Sequence, residues 1–306
     1  MSRRALGLFA LVVTLTLGVG GCAGAQPDRG GVVVTTNILG DVVRNVVGEQ
    51  AEVTVLMKPD ADPHSFGISA QEAARLEHAD LVVHNGLGLE EGVLRNVGAA
   101  AEAGVATLAV GDAVDPIAFT TSESAGQFDP HFWTDPRRMQ TAVDLITTQV
   151  IEHLAGVDPA VVRANAARYR GEIAQLDALM TERFAQIPPP RRKLVTNHHV
   201  FGYLAQRYGF EIVGAVLPSG TTLASPSASD LKSLADTVRA ADVRTIFADS
   251  SQPDRLARAL AEQAGLDVEV RPLFSESLSS EGGGAASYLA MMRSNTEAIA
   301  SGLSPA

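Results

Sequence analysis

Residues 158–187 read DPAVVRANAARYRGEIAQLDALMTERFAQI. Asp158 ahead of Pro159 is a helix start: the carboxylate can cap free N–H groups, and proline's missing donor costs nothing in the first turn. Apolar residues then recur at steps of three and four, and the prolines at 188–190 stop the run. At about 1.5 Å per residue such a helix extends roughly 40 Å, the width of a lobe. Placed in the middle of a 306-residue chain, it reads as a stiff strut between two domains.

Both flanks of the strut alternate between strand-like and helix-like pieces. Ahead of it, GVVVTTN (31–37), AEVTVLM (51–57), DLVVHNG (80–86) and VATLAVG (105–111) suit buried strands. SAQEAARLEHA (69–79), EEGVLRNVGAAAEAG (90–104) and PRRMQTAVDLITTQVIEHLAG (136–156) suit helices, the last started by Asp135 and Pro136. Behind it, RKLVTN (192–197), FEIVGAV (210–216), VRTIFADS (243–250) and LDVEVRPLF (266–274) alternate with helical runs at 200–209, 225–242, 252–265 and 285–303. Such alternation builds parallel sheets covered by helices. The expected fold is α/β: two parallel-sheet lobes, 31–157 and 188–306, joined by the long helix 158–187.

The chain opens with Arg3 and Arg4, an uncharged run from Ala5 to Gly21, and then Cys22, the only cysteine. The apolar run is short and glycine-rich toward its end, which reads as an export signal over 1–21 and not as a spanning helix. VGGC at 19–22 resembles a bacterial lipobox; cleavage there would leave Cys22 lipid-modified and the protein held to the outer face of the cell membrane, or in a periplasm. A secretory leader with a chance cysteine is the alternative. Residues 22–30 are small and polar and read as a tether. Losing two leader arginines takes the net charge from −11 to −13, which argues against nucleic acid and against a polybasic membrane patch. With Cys22 used as an anchor, any metal must be held by His, Asp and Glu.

Seven histidines are present, and two share a context: DPHSF at 62–66 and DPHFWTDP at 129–136. A proline before each of His64 and His131 stiffens the loop, and Phe66, Phe132 and Trp133 are placed to wall the rings from water. His198 follows directly on the run 192–197, and Asp249 and Glu276 stand at the ends of later strand runs. Ligand crevices of open α/β sheets lie at the carboxyl ends of strands. Three neutral imidazoles and one carboxylate make a closed four-coordinate set that suits Zn²⁺. The remaining histidines lack that setting: His78 and His153 fall on helical runs, and His84 ends a strand run. His64, His131 and His198 are 67 residues apart in each step, but their flanks do not align, so the spacing is no tandem repeat. HNGLGLEEG (84–92) misplaces the third glycine of a dinucleotide fingerprint and puts Glu90 and Glu91 where a pyrophosphate needs positive potential.

MKPDADPHSF, ADLVVHNGLGLE, DPHFWTDP, TNHHVFGYLAQRYGF, IFADSSQ and SYLAMMRSN, taken together, make the chain from about 31 to 303 resemble the cluster A-I substrate-binding proteins of ABC transporters. That family captures zinc or manganese outside the membrane. The resemblance implies a metal site in the cleft between lobes, with His64 and His131 as ligands. In TNHHVFGYL the family pattern selects His198, with His199 as the alternative one residue on. Relatives usually carry aspartate in a DSL-like stretch where SESL here supplies Glu276; Asp249, where many relatives have glutamate, is the alternative fourth ligand. Manganese-preferring members often have glutamate at the position of His198, so histidine tilts the expectation toward zinc. TTSESAGQ (120–127) holds no His-rich loop of the kind some zinc members carry.

The expected function is therefore a high-affinity zinc receptor, not an enzyme, that delivers Zn²⁺ to the membrane permease of an ABC importer. It would act as a monomer, bind no nucleic acid, and lose affinity below about pH 6.5, where imidazole protonates. A manganese or ferrous iron receptor is the nearest alternative. A zinc hydrolase with Glu276 or Asp249 as base is another, although HExxH, GxSxG and Walker sequences are absent. Loading by a metallochaperone, and a role as a surface adhesin, leave no mark to read.

Overall fold

The computed structural model describes residues 30–120, 124–217, 219–223, 225–265 and 268–304. The leader, the Cys22 anchor and nearly all of the tether lie outside the described residues. Two four-stranded parallel sheets, each covered by helices, form two lobes. The first contains β1 (Val32–Val34), α1 (Asn37–Val47), β2 (Val53–Val55), α2 (Ala70–Glu77), β3 (Leu81–His84), α3 (Leu94–Glu102), β4 (Ala106–Ala109) and α4 (Pro136–His153). The long helix α5 (Pro159–Ala185) follows, and a 3-10 turn at Pro189–Arg191 carries the chain off it. The second lobe contains β5 (Lys193–Thr196), α6 (Gly202–Tyr208), β6 (Glu211–Ala215), α7 (Ala228–Ala240), β7 (Thr245–Asp249), α8 (Arg255–Ala264), β8 (Glu269–Leu273) and α9 (Tyr288–Leu303).

The strand orders are β2-β1-β3-β4 and β6-β5-β7-β8, the same topology twice. Val32 pairs with both Val53 and Leu81, and Leu81 with Ala106. Pro272, which cannot donate to a ladder, sits on the edge strand β8. The topology also disposes of the 67-residue spacing as a repeat. His64 follows the second strand of its lobe and His198 the first strand of the other, so the two occupy unrelated positions.

Strand alternation splits the apolar residues between two kinds of core. Val32, Val34, Leu81 and Val83 face inward and join α1, α4, α5, α9 and residues of both lobes in one continuous core. Val33 and Val82 face the other way, onto Leu76 of α2 and Val97 and Ala100 of α3. In the second lobe Leu194 and Phe247 join the shared core, while Val195, Ile246 and Ala248 pack under α7 and α8. The start of α5 is capped by Asp158, which accepts from Ala160 N at 2.8 Å. Along α5, Val162, Tyr169, Ile173, Leu176, Met180 and Phe184 are buried. Polar pins fix the strut to both lobes: Asp41 of α1 accepts from Tyr169 Oη at 3.1 Å and from Tyr288 N at the head of α9 at 3.0 Å. Asp177 of α5 accepts from Arg207 Nε at 2.9 Å and Tyr208 Oη at 2.7 Å, both on α6. Because one core runs through both lobes, they cannot swing apart as free bodies without exposing it.

No helix is expected from the sequence between 38 and 50, and there the structure has α1. Its valines argue for a strand, and Thr36 makes no side-chain cap. Eight of its eleven residues are buried, six of them in the shared core, and that burial outweighs the propensity.

Candidate metal centre

In both DPH loops the aspartate accepts the backbone N–H of the histidine two residues on: His64 N to Asp62 Oδ1 at 2.9 Å, and His131 N to Asp129 Oδ1 at 2.9 Å. An aspartate that bonds its own backbone two residues on closes a tight turn, and the proline between has no N–H to compete. Asp129 Oδ1 also lies 2.7 Å from His131 Nδ1, which fixes the ring orientation and leaves Nε2 with its lone pair free. His198 leaves β5 with its carbonyl held by Thr196 Oγ1 at 2.7 Å.

Glu276 lies on a second-lobe loop after β8 that the first lobe holds on either side. Trp133 Nε1 donates to Ser275 O at 2.9 Å. Asn37 Nδ2 donates to Ser277 Oγ at 2.8 Å, and Leu278 N donates to Asn37 Oδ1 at 3.0 Å. The Trp133 ring meanwhile stands edge-on to His131, centroids 5.3 Å apart. The expected aromatic walls need correction in part. Phe66 packs on the outer core of the first lobe and Phe132 in the shared core, because their positions in the loops turn them inward. The second ring beside His131 is Phe119, at 6.3 Å.

The side chains of His64, His131, His198 and Glu276 converge between the lobes, each at most 2% exposed. His64 Nε2 is 3.3 Å from Glu276 Oε2; His131 Nε2 and His198 Nε2 are 3.4 and 3.3 Å from Oε1; the first two Nε2 atoms are 3.5 Å apart. A tetrahedron with metal–ligand distances of about 2.0–2.1 Å has edges of about 3.3–3.4 Å. Neither Glu276 oxygen and neither ring nitrogen of His198 has a hydrogen-bond partner among the described residues. Buried lone pairs facing one another without donors are costly unless something positive sits among them. Burial alone would push Glu276 up, but the His131 and His198 imidazoles outweigh it and hold its carboxyl well below the usual carboxylate range. Burial opposes a proton on His198, yet Glu276, with Asp249 and Asp62 behind it, raises its pKa above the ordinary imidazole value.

The other candidates lie apart. Asp249 is buried at the end of β7, but Ser251 N donates to its Oδ1 at 2.7 Å, the Ser251 hydroxyl bonds the same oxygen, and Ser275 Oγ bonds Oδ2. Burial, then the Glu276 charge, pushes its carboxyl up. His199 points into a separate cavity of about 350 Å³ that it shares with Asp129, Phe119 and Gln206, and burial lowers its pKa. His78 bonds Ala74 O in its own helix, and His153 lies beside Glu152. His84 is half-buried, and burial lowers its pKa.

Three residues that organise the site escape a search for ligands: Asn37, Asn85 and Glu90. Buried Glu90 accepts from Thr35 Oγ1 at 2.7 Å, Asn85 N at 2.6 Å and Gly86 N at 3.2 Å. Asn85 Nδ2 in turn donates to Pro130 O at 3.0 Å, just ahead of His131. The signal was an acidic residue shortly after a strand inside an otherwise apolar HNGLGLE, where a buried carboxylate needs backbone donors.

The chain is similar to known proteins over most of its length. The family described as ZnuA, zinc-uptake complex component A periplasmic, matches residues 32–302. The chain is 30% identical to the manganese-binding lipoprotein MntA of Bacillus subtilis, over 97% of this chain and 99% of that protein. It is 31% identical to the zinc-binding protein TroA of Treponema pallidum, over 89% and 88% of the two chains. The solved structure of TroA superposes with a TM-score of 0.81, covering 90% of this chain and 99% of that one at 27% identity. The chain therefore belongs to the ZnuA family of metal-binding ABC transporter substrate-binding proteins, exported receptors and not enzymes.

Proposed function

We propose that this protein is a zinc receptor, anchored through Cys22 to the outer face of the membrane, that binds one Zn²⁺ between its lobes and passes it to the permease of an ABC importer. The observation that carries the reading is the buried set His64, His131, His198 and Glu276, whose ligand atoms all lie within 4.8 Å of one another, four of the nitrogen–oxygen and nitrogen–nitrogen distances being 3.3–3.5 Å. Three imidazole nitrogens and one carboxylate favour zinc over harder ions. The ion is cargo, so no bond in it is made or broken; the chain supplies neutral imidazoles, a carboxylate and a dry cleft. The receptor acts as a monomer. Titrating the metal-free protein with Zn²⁺ and Mn²⁺ against a competing chelator tests this. Zinc should bind more tightly by at least about a hundredfold, and equal affinities would remove the zinc assignment.

A manganese reading has an observation of its own. Both Glu276 oxygens face imidazole nitrogens and neither accepts a hydrogen bond among the described residues, so the carboxylate is free to bind through both. Five donors would suit Mn²⁺ better than a four-coordinate zinc site does. A ferrous receptor falls under the same reading and the same titration.

A further inference from the structure

Asp62 stands two residues before His64, half-buried at the rim of the cleft. Its Oδ1 accepts the His64 N–H, as described above. Its Oδ2 accepts from Ser65 Oγ at 3.1 Å and, across the cleft, from Thr222 Oγ1 at 2.6 Å and Gln252 Nε2 at 3.0 Å. One carboxylate thus joins the backbone of a first-lobe histidine to two side chains of the second lobe. Thr222 belongs to residues 219–223, beyond β6. In the same stretch the Gly220 N–H donates to Ser124 Oγ at 3.1 Å, and a Cβ on Gly220 would meet the Phe119 ring at 2.5 Å. Phe119 is the ring beside His131. Contacts from both histidine-bearing regions of the first lobe therefore hold this second-lobe stretch over the four converging side chains.

We propose that Asp62 is a positioning residue: it clamps the lobes at the rim, and the strength of its bonds to Thr222 and Gln252 sets how fast the bound cation leaves. The proposal rests on the cation site argued above. α5 and the shared core hold the lobes together, and the Asp62 contacts at the rim are local, polar and only part-buried, the kind of contact that opens first in a folded protein. Opening them frees the His64 turn from the second lobe without disturbing the core. Beyond the charge it contributes near His198, Asp62 acts on the site through His64, because its two oxygens are occupied by hydrogen bonds.

The test is release of Zn²⁺, or of Mn²⁺ if that ion binds more tightly, from the mature protein into excess chelator in a stopped-flow instrument. Thr222→Val with Gln252→Leu leaves the carboxylate and all four facing side chains in place, so the charge near the ion is unchanged. Release should quicken at least about tenfold, roughly the worth of one hydrogen bond at a carboxylate. The association rate and the melting temperature of the metal-free protein should stay close to wild type. Asp62→Asn, which keeps an acceptor for His64 N–H but also removes a charge near the ion, should quicken release by at least as much. Binding by the wild type with release in the double variant within about twofold of it would overturn the clamp alone. Failure of the wild type to bind either ion would overturn the site and the clamp with it. A lowered melting temperature with unchanged release would make Asp62 a folding contact, and that too overturns the proposal.

Discussion

DPHSF and DPHFW make the same turn from the same three residues, and they differ in what the aspartate does with its remaining capacity. Asp129 spends it at home, on the Nδ1 of its own histidine. Asp62 spends it abroad, on Thr222 and Gln252 of the opposite lobe. The His131 loop is further tied down through Asn85 and Glu90 and through Trp133, whose indole reaches Ser275 O. The His131 ring is thus oriented by the aspartate of its own loop, whereas the aspartate of the His64 turn is tied to the opposite lobe. A short motif repeated in one chain fixes a backbone turn twice without fixing a role twice.

Removing a ring should erase the distinction and give the largest effect. Structural zinc sites bind with roughly 10–16 kcal/mol, so one of four ligands carries roughly 3–4 kcal/mol. His131→Ala and His64→Ala should each weaken zinc by roughly a hundred- to a thousandfold in a competition titration, and unchanged affinity in either would remove that residue from the site. Asp129→Ala sharpens the contrast. Loss of a partner that orients a ligating ring costs about 10–100-fold in affinity, against about tenfold for changes at Asp62, all of which should come from faster release.

Next comes pH. His198 has a raised pKa and Glu276 a lowered one, so in the metal-free protein a proton on His198 and the ionised Glu276 carboxylate favour each other. The raised His198 contributes stability that is fully present below about pH 6.5 and lost as pH rises through its folded-state value. The lowered Glu276 contributes stability present above the ordinary carboxylate range and lost as pH falls through its low folded-state value. Metal must displace that proton, so zinc affinity should fall by up to about tenfold per pH unit as pH drops, starting above pH 6.5 and not below it. Titrations from pH 5 to 8 would show this, and a fall beginning only under about pH 6 would contradict the raised value. The smallest effect belongs to Asn85→Ala, which leaves Pro130 O without its side-chain donor; a loss of about 1–2 kcal/mol in denaturant unfolding is expected, with modestly weaker zinc binding.

Much of the architecture was legible in the residues because it is local. Asp158–Pro159 and Asp135–Pro136 do cap α5 and α4, since a cap is settled within three residues. Period-two and three-to-four-residue patterns marked the alternation of strands and helices. Helix α1 was not legible, because its valines favour a strand and only burial in the shared core makes it helical.

For the site, the residue types and their strand-end positions narrowed the candidates to His64, His131, His198 or His199, and Glu276 or Asp249. By itself the sequence determined an α/β chain with a central strut, two DPH turns and a set of candidate nitrogen and oxygen donors, all properties of neighbouring residues. Tertiary structure alone decided which groups face one another. Asp249 is consumed by Ser251 and Ser275 while Glu276, held by Trp133 and Asn37 of the other lobe, keeps both oxygens free. The contacts that hold the Glu276 loop span more than a hundred residues of chain, and such contacts exist only once the two lobes have closed on a common core.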